Sequence, residues 1–194
     1  MLAIVPVKGL NGAKTRLVPL LSPDERAELV REMLAAVLTA CAEAKSVSNT
    51  LVVTPEPELA PDGVEVLLDA GEGHAAALAS ALNDRRAANG GLVVMADCPF
   101  ATGRSLDRLV EAAAPVALVP ALDGGLNALA LSSPSLFEPV FGVPAAAMRT
   151  IERARAAGLE PALVDEPGLA FDVDRPFDLK RFHDGILSRA GACA

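Results

Sequence analysis

The chain has 194 residues, 52% of them hydrophobic and 22% charged, a composition that suits one globular domain with a sizeable core and argues against disorder. Its formal charge of -8 excludes a general nucleic-acid or anionic-membrane surface, which would need a broad basic face. With six Phe and no Trp or Tyr there is no stacking platform for single strands, two histidines rule out a multi-histidine metal centre, and three widely spaced cysteines make neither a disulfide framework nor a CxxC knuckle.

No run of about 18 apolar residues occurs and the amino terminus lacks the order of a secretory signal, so a cytoplasmic location is expected. In chain order, "LAIVPV" (2–7) predicts a first buried strand. "SPDERAELVREMLAAVLTACAEA" (22–44) predicts a long helix with Ser22 as N-cap, Pro23 in its first position and acids in its first turn. "TLVVT" (50–54) and "VEVLLDA" (64–70) predict short strands joined by "TPEPELAPDG", a proline-rich surface connection. "HAAALASALNDRRAA" (74–88) predicts a helix, and "LVVMA" (92–96) a continuous apolar strand ending at Asp97. "GRSLDRLVEAAA" (103–114) predicts a helix, with "VALVPA" (116–121) and "NALAL" (127–131) as strands. "AAAMRTIERARAAG" (145–158) predicts a helix closing on Gly158, "PALVD" (161–165) another strand, and a last helix is expected near Pro176.

Strands alternating with helices imply parallel crossovers and a three-layer, Rossmann-like α/β fold with a mostly parallel central sheet. There is no internal repeat, low-complexity linker or second core. A single domain over 1–188 and a frayed tail at 189–194 are therefore expected. Ligands of such sheets bind at the carboxyl ends of strands, so chemistry should lie in the loops that follow them.

The first of these loops, "KGLNGAKTRL" (8–17), carries Lys8, Lys14 and Arg16, with no acid until Asp24. Gly12 permits close backbone approach, and Lys14 and Arg16, two residues apart, would flank a polyphosphate, with Lys8 nearby. A solvated turn with ordinary surface cations is the alternative, and no Walker A pattern is present. A second glycine-rich turn, "DAGEGHAA", fits GxGxxA, but Glu72 would set an anion where a pyrophosphate should sit. It reads better as a turn closing around a nucleobase through Asp69, Gly71 and Gly73, or simply as a tight strand-to-helix connection.

Asp97, at the end of an apolar strand, is costly unless paired or bound to a metal. In "GLAFDVDRPFDL", Leu169, Phe171 and Val173 alternate with Ala170, Asp172 and Asp174, which puts the apolar trio on one face and both carboxylates on the other. Asp97, Asp172 and Asp174 converging would suit Mg²⁺, a hard cation that takes carboxylates, waters and substrate phosphates. Asp178 reads as first-turn helix charge. A cationic glycine loop and three such acids suggest metal-assisted attack on a nucleotide phosphate, the local cations being there for a triphosphate.

The segments "IVPVKGLNGAKTRL", "LSPDERAELVREML", "ADCPF", "GLNALAL", Phe141-Gly142 and "PGLAFDVDRPFDL" together resemble, in order, the CofC/FbiD-type guanylyltransferases, over residues 3 to about 182. The resemblance implies a nucleotidyltransferase fold, GTP as donor, and a small phosphorylated three-carbon acid as acceptor, either phosphoenolpyruvate or 2-phospho-L-lactate, in the biosynthesis of the deazaflavin coenzyme F-420. It also implies that Lys14 and Arg16 handle the triphosphate, that Asp97, Asp172 and Asp174 hold the metal, and that Gly125, Asn127 and Gly142 line the acceptor pocket. Three positions depart from the family pattern: Leu126 replaces a Thr, Val143-Pro144-Ala145 replaces a Gly-Ser pair, and Gly73-His74-Ala75 replaces "GLN". Expected partners are thus GTP and a phosphorylated acid, with neither nucleic acid nor membrane. Whether the chain forms a homodimer is left open.

Overall fold

The computed structural model describes residues 1–10, 12–69 and 74–185. Seven strands form one sheet: β1 (Leu2–Pro6), β2 (Asn49–Thr54), β3 (Glu65–Leu68), β4 (Gly91–Val94), β5 (Val116–Pro120), β6 (Leu126–Leu131) and β7 (Ala162–Leu163). Six helices accompany them: α1 (Pro23–Glu43), α2 (His74–Leu82), α3 (Gly103–Ala112), α4 (Ala146–Ala156), α5 (Pro167–Ala170) and α6 (Pro176–Asp184). The strand order is β3-β2-β1-β4-β6-β5-β7. All neighbouring pairs are parallel except those made by β6, which runs antiparallel to both β4 and β5. β6 reverses because only a short turn joins it to β5, too short for a crossover helix. The α/β fold with a mostly parallel sheet is the one expected.

Period-two alternation sorts the apolar strand residues between two cores. Ala3, Val5, Val52, Leu92, Val94, Ala117 and Val119 face a layer that includes Met33, Leu34 and Val37 of α1 and Leu106 and Leu109 of α3. Leu2, Ile4, Leu51, Val53, Val93, Val116 and Leu118 face Leu78 and Leu82 of α2 and Ile151 of α4. Two apolar faces on one sheet force helices onto both sides, which is the three-layer arrangement.

Most element boundaries follow local chemistry. Ser22 caps α1 through the Glu25 N–H while the Glu25 carboxylate accepts from the Ser22 N–H, and Thr102 caps α3 reciprocally with Ser105. The helix expected over 74–88 stops earlier, at Leu82. Asn83 still makes the helical bond to the Ala79 carbonyl, but the Asp84 N–H turns to the Ala81 carbonyl and Asp84 Oδ1 accepts the Arg86 N–H, which ends the helix. Residues 171–174 keep the expected alternation of burial outside the sheet, but Leu169 and Ala170, expected in the same alternating run, belong instead to the helical turn α5. Among the described residues no helix is long and apolar enough to cross a membrane. The expected tail at 189–194 lies outside the described residues.

Candidate active site at the ends of the first and fourth strands

From β1 the chain builds outward on one side through β2 and β3 and on the other through β4, so the crevice between the β1 and β4 carboxyl ends is the topological switch point. Two of the segments that carry the sequence signals leave the sheet there. The loop after β1 is held by partners far away in sequence. The Glu56 carboxylate accepts the Leu10 N–H through both oxygens at 3.0 and 3.1 Å. Arg26 Nε donates to the Ala13 carbonyl, and its guanidinium also reaches the Leu21 carbonyl. Fully buried Leu17 anchors the single 3-10 turn Thr15–Leu17. At the head of that turn Lys14 takes φ 50°, left-handed backbone that non-glycine residues seldom adopt, and Gly12 takes φ 76°.

This bend turns the Lys14 side chain inward. Its Nζ donates to Asp97 Oδ2 at 2.6 Å and to Asp174 Oδ1 at 2.9 Å. Arg16, still 59% exposed, donates to the other Asp174 oxygen at 2.9 Å. Asp97 follows β4 in a turn, and its carbonyl accepts the Val173 N–H, which draws the 171–174 segment across the strand ends. Phe171 and Val173 are wholly buried beneath, so Asp172 and Asp174 face the crevice. One oxygen from each of Asp97, Asp172 and Asp174 can be chosen so that all three lie within 4.8 Å of one another. Asp178 is outside this group: its carboxylate accepts the Arg175 and Asp174 N–H groups and caps α6, as a first-turn acid should.

Asn127 reaches the same place through an irregularity. Val119 faces Ala128 across the β5–β6 ladder, but Pro120 faces Leu126, so the register slips at Asn127. Strict alternation would point Asn127 the same way as Leu129 and Leu131; the slip re-aims it. Its Nδ2 donates to the Leu169 and Ala170 carbonyls at 3.1 and 3.2 Å and to Asp172 Oδ1 at 3.3 Å. The amide thus ties the acid-bearing segment to β6.

The electrostatics are uneven. Burial alone would lower the Lys14 pKa, but Asp97 and Asp174 outweigh it and hold the ammonium charged. Burial likewise works to raise Asp174, and Lys14 with Arg16 more than reverses that. Asp172 has no cation: burial first, then the neighbouring Asp97 charge, push its pKa up to about 6 against the opposing Asn127 hydrogen bond. In the unfolded chain this carboxyl releases its proton near 3.8, so ionising it in the folded protein costs stability as pH rises from there through 6. Asp172→Asn keeps the oxygen that Asn127 needs and removes the cost. Discounted for partial solvent access, the gain should be roughly 1 kcal/mol at pH 7.5 in metal-free buffer and should vanish below pH 4. Thermal melts of both proteins at the two pH values read this directly, and equal melting temperatures at pH 7.5 would refute it.

A cavity of about 440 Å³ gathers most of the residues singled out in the sequence: Lys8, Gly12, Lys14 and Arg16 of the first loop, the acids Asp97, Asp172 and Asp174, and Gly125, Asn127 and Gly142 all line it. Asp69 is not among the described lining residues; its N–H closes on the Thr54 carbonyl just past β3. Gly71 and Gly73 lie outside the described residues. Leu126, the departure from the family pattern, is 4% exposed and packs into the α2/α4 core while edging the cavity. Sequence reasoning missed Asp123, which lines the cavity and accepts the Gly125 N–H, and it missed Glu56, which lies in the supposed surface connection. Nothing in the sequence marks Glu56, whose closeness to Gly9 exists only in the fold. A Cβ on Gly9 would meet its carboxylate oxygen at 2.5 Å, a contact between residues 47 apart in the chain.

Residues 1–184 match the protein family described as guanylyl transferase CofC like. A phosphoenolpyruvate guanylyltransferase of Sphaerobacter thermophilus is 41% identical over 188 residues, covering 92% of this chain and 90% of that protein. A 2-phospho-L-lactate guanylyltransferase of Haloarcula marismortui is 36% identical, covering 98% and 87%. A 3-phospho-D-glycerate guanylyltransferase of Phenylobacterium zucineum is also 36% identical, covering 98% and 93%. In fold, the chain is similar to a candidate nucleotide-diphospho-sugar transferase from Desulfovibrio desulfuricans G20, with TM-score 0.72 at 21% identity over 95% of this chain and 86% of that one. The cation loop, the acids and the sheet that presents them thus sit in a chain matched almost end to end, and it belongs to the CofC-like guanylyl transferase family.

Proposed function

We propose that the protein transfers GMP from GTP to a small phosphorylated three-carbon acid, phosphoenolpyruvate or 2-phospho-L-lactate, with release of pyrophosphate, as a step in making coenzyme F-420. The observation that carries this reading is the meeting of Lys14, Arg16, Asp97, Asp172 and Asp174 at one crevice in a chain whose relatives are named as guanylyltransferases. An oxygen of the acceptor phosphate attacks the α-phosphorus of GTP, the bond to the β-phosphate oxygen breaks, and pyrophosphate leaves. The acceptor phosphate is already anionic at neutral pH, so no protein base is needed and catalysis is chiefly positioning and charge stabilisation.

In this reading Lys14 and Arg16 bind the triphosphate and stabilise the departing pyrophosphate. Three carboxylates supply the hard oxygen donors that Mg²⁺ prefers, and their cluster already holds an ammonium as a stand-in cation. Bound there, Mg²⁺ would neutralise charge developing on the transferred phosphoryl group. Of the other lining residues, Gly125, Asn127, Gly142 and Ala146 carry no charge, and every cation among the described lining residues lies in the first loop. The acceptor phosphate would therefore face the first loop, the source of positive charge among the described lining side chains.

A second reading, transfer to 3-phosphoglycerate or a sugar phosphate, is favoured by the 3-phospho-D-glycerate relative, as similar to this chain as the phospholactate one. A protein that binds nucleotide without turnover is the remaining rival. A panel of phosphoenolpyruvate, 2-phospho-L-lactate, 3-phosphoglycerate and a sugar phosphate, each with GTP or ATP and scored by pyrophosphate release, separates them. The expected result is release with GTP and one of the first two acids, at least about tenfold above the others, which is a discrimination of ~1.4 kcal/mol. Saturable GTP binding with no pyrophosphate from any acceptor would overturn the enzyme reading.

A further inference from the structure

Three acids meet in the crevice, yet the cations are shared unequally among them. Lys14 Nζ bridges Asp97 Oδ2 and Asp174 Oδ1, Arg16 takes the remaining Asp174 oxygen, and Asp172 has only the Asn127 amide. The Lys14 side chain is 10% exposed, against 30% and 34% for the two acids it joins, so most of it is withdrawn from solvent. It is aimed there by left-handed backbone at Lys14 and by a loop fastened through Glu56, Arg26 and Leu17, none of which needs a ligand to be in place. Surface lysines that merely contact phosphate have no cause to be built in this way.

A divalent ion drawing an oxygen from each acid meets this ammonium on two of the three. Like charges a few ångströms apart at a partly dry site repel strongly, and an ammonium cannot serve as a ligand. We propose that Lys14 is a resident counter-cation of the acid cluster, a built-in competitor that keeps the nucleotide-free protein from taking up a divalent ion until its side chain leaves. In the absence of metal the ammonium holds Asp97 and Asp174 together, and the Asn127 amide keeps Asp172 beside them. A triphosphate entering the same cavity offers Lys14 other anionic oxygens. The inference rests on the reading that Asp97, Asp172 and Asp174 bind a divalent ion, and it adds what must move before they do.

The test is equilibrium titration with Mn²⁺, with no nucleotide or acceptor present, read by the electron paramagnetic resonance of the free ion. Wild type, Lys14→Asn, Lys14→Arg and the double variant Lys14→Asn/Asp172→Asn are compared. Asn tolerates left-handed backbone, and Lys14→Gly, which adopts it freely, repeats the measurement should the Asn variant melt abnormally. Lys14→Asn should tighten Mn²⁺ binding by about tenfold, within the usual range of coupling between sites. Lys14→Arg, which keeps the charge, should stay close to wild type, and the double variant should lose the gain.

Equal or weaker Mn²⁺ affinity in Lys14→Asn, with binding that the double variant loses, would overturn the competitor role while leaving the metal site standing. A gain that survives in the double variant would place the ion elsewhere and overturn it too. No Mn²⁺ uptake by any of the four proteins would sink the metal reading itself. None of these results depends on pyrophosphate release, so guanylyl transfer stands or falls separately.

Discussion

Asp97→Asn should lower the rate of pyrophosphate release by about 1,000-fold or more, comparable with deleting a main source of transition-state charge stabilisation, and should leave the fold intact. The side chain supports no core contact. Its known partner is Lys14, which keeps Asp174 when Asp97 is neutralised, and the Asp97 group that ties down Val173 is the backbone carbonyl, which the substitution spares. An amide in place of the carboxylate keeps the shape but loses the charge on which both the ammonium and any divalent ion depend. Single-turnover rates, with circular dichroism and melting as controls for folding, measure the two halves of the expectation. Undiminished, metal-dependent turnover would remove Asp97 from the chemistry.

Gly168→Ala should be the most damaging small change outside the acid cluster. Gly168 lies in α5, just ahead of the segment that carries Asp172 and Asp174. A Cβ there would collide with the Phe100 carbonyl oxygen and lie 3.1 Å from its carbon, both backbone atoms that cannot rotate aside. Phe100 follows Asp97 by three residues, and its ring packs on that of Phe171 at 5.3 Å between centroids. The added methyl therefore acts as a wedge between the two segments that must converge. Overpacking of this sort costs about 2–3 kcal/mol. Because it parts Asp97 from Asp172, it should also slow turnover by roughly 100-fold, the effect of about 1 Å of misplacement at a reacting centre. Urea denaturation with parallel activity assays would register both. Unaltered stability would mean that the contact relaxes easily and that the two segments are not rigidly set.

The order of strands and helices was legible in the sequence because its causes are local. Unbroken apolar runs fix the buried strands, Ser22 with Pro23 and Glu25 fixes the start of α1, and Gly158 with φ 78° closes α4. The candidate residues of the crevice were legible for a related reason. Each strand that ends at the carboxyl edge of a parallel sheet delivers its loop to the same rim, so Lys14 after β1 and Asp97 after β4 become neighbours once the fold class is known. Where a local competitor was overlooked, as with Asp84 beyond the end of α2, the reading ran too long.

What only the tertiary structure decided is how these groups face one another. The sequence shows a cation loop and an acid cluster as two separate signals, one for phosphate and one for metal. The fold joins them, since the left-handed backbone at Lys14 directs its ammonium into the acids. Alternation alone sends Asn127 to the wrong face, and a slip of register in the β5–β6 ladder brings it to Asp172. Glu56 supports the first loop from 46 residues away. Secondary structure is written in interactions between residues a few positions apart, which periodicity records. Ion pairs spanning 83 and 160 residues, like the bulge that aims an amide, exist only after the sheet has closed its register, and no spacing in the chain encodes them.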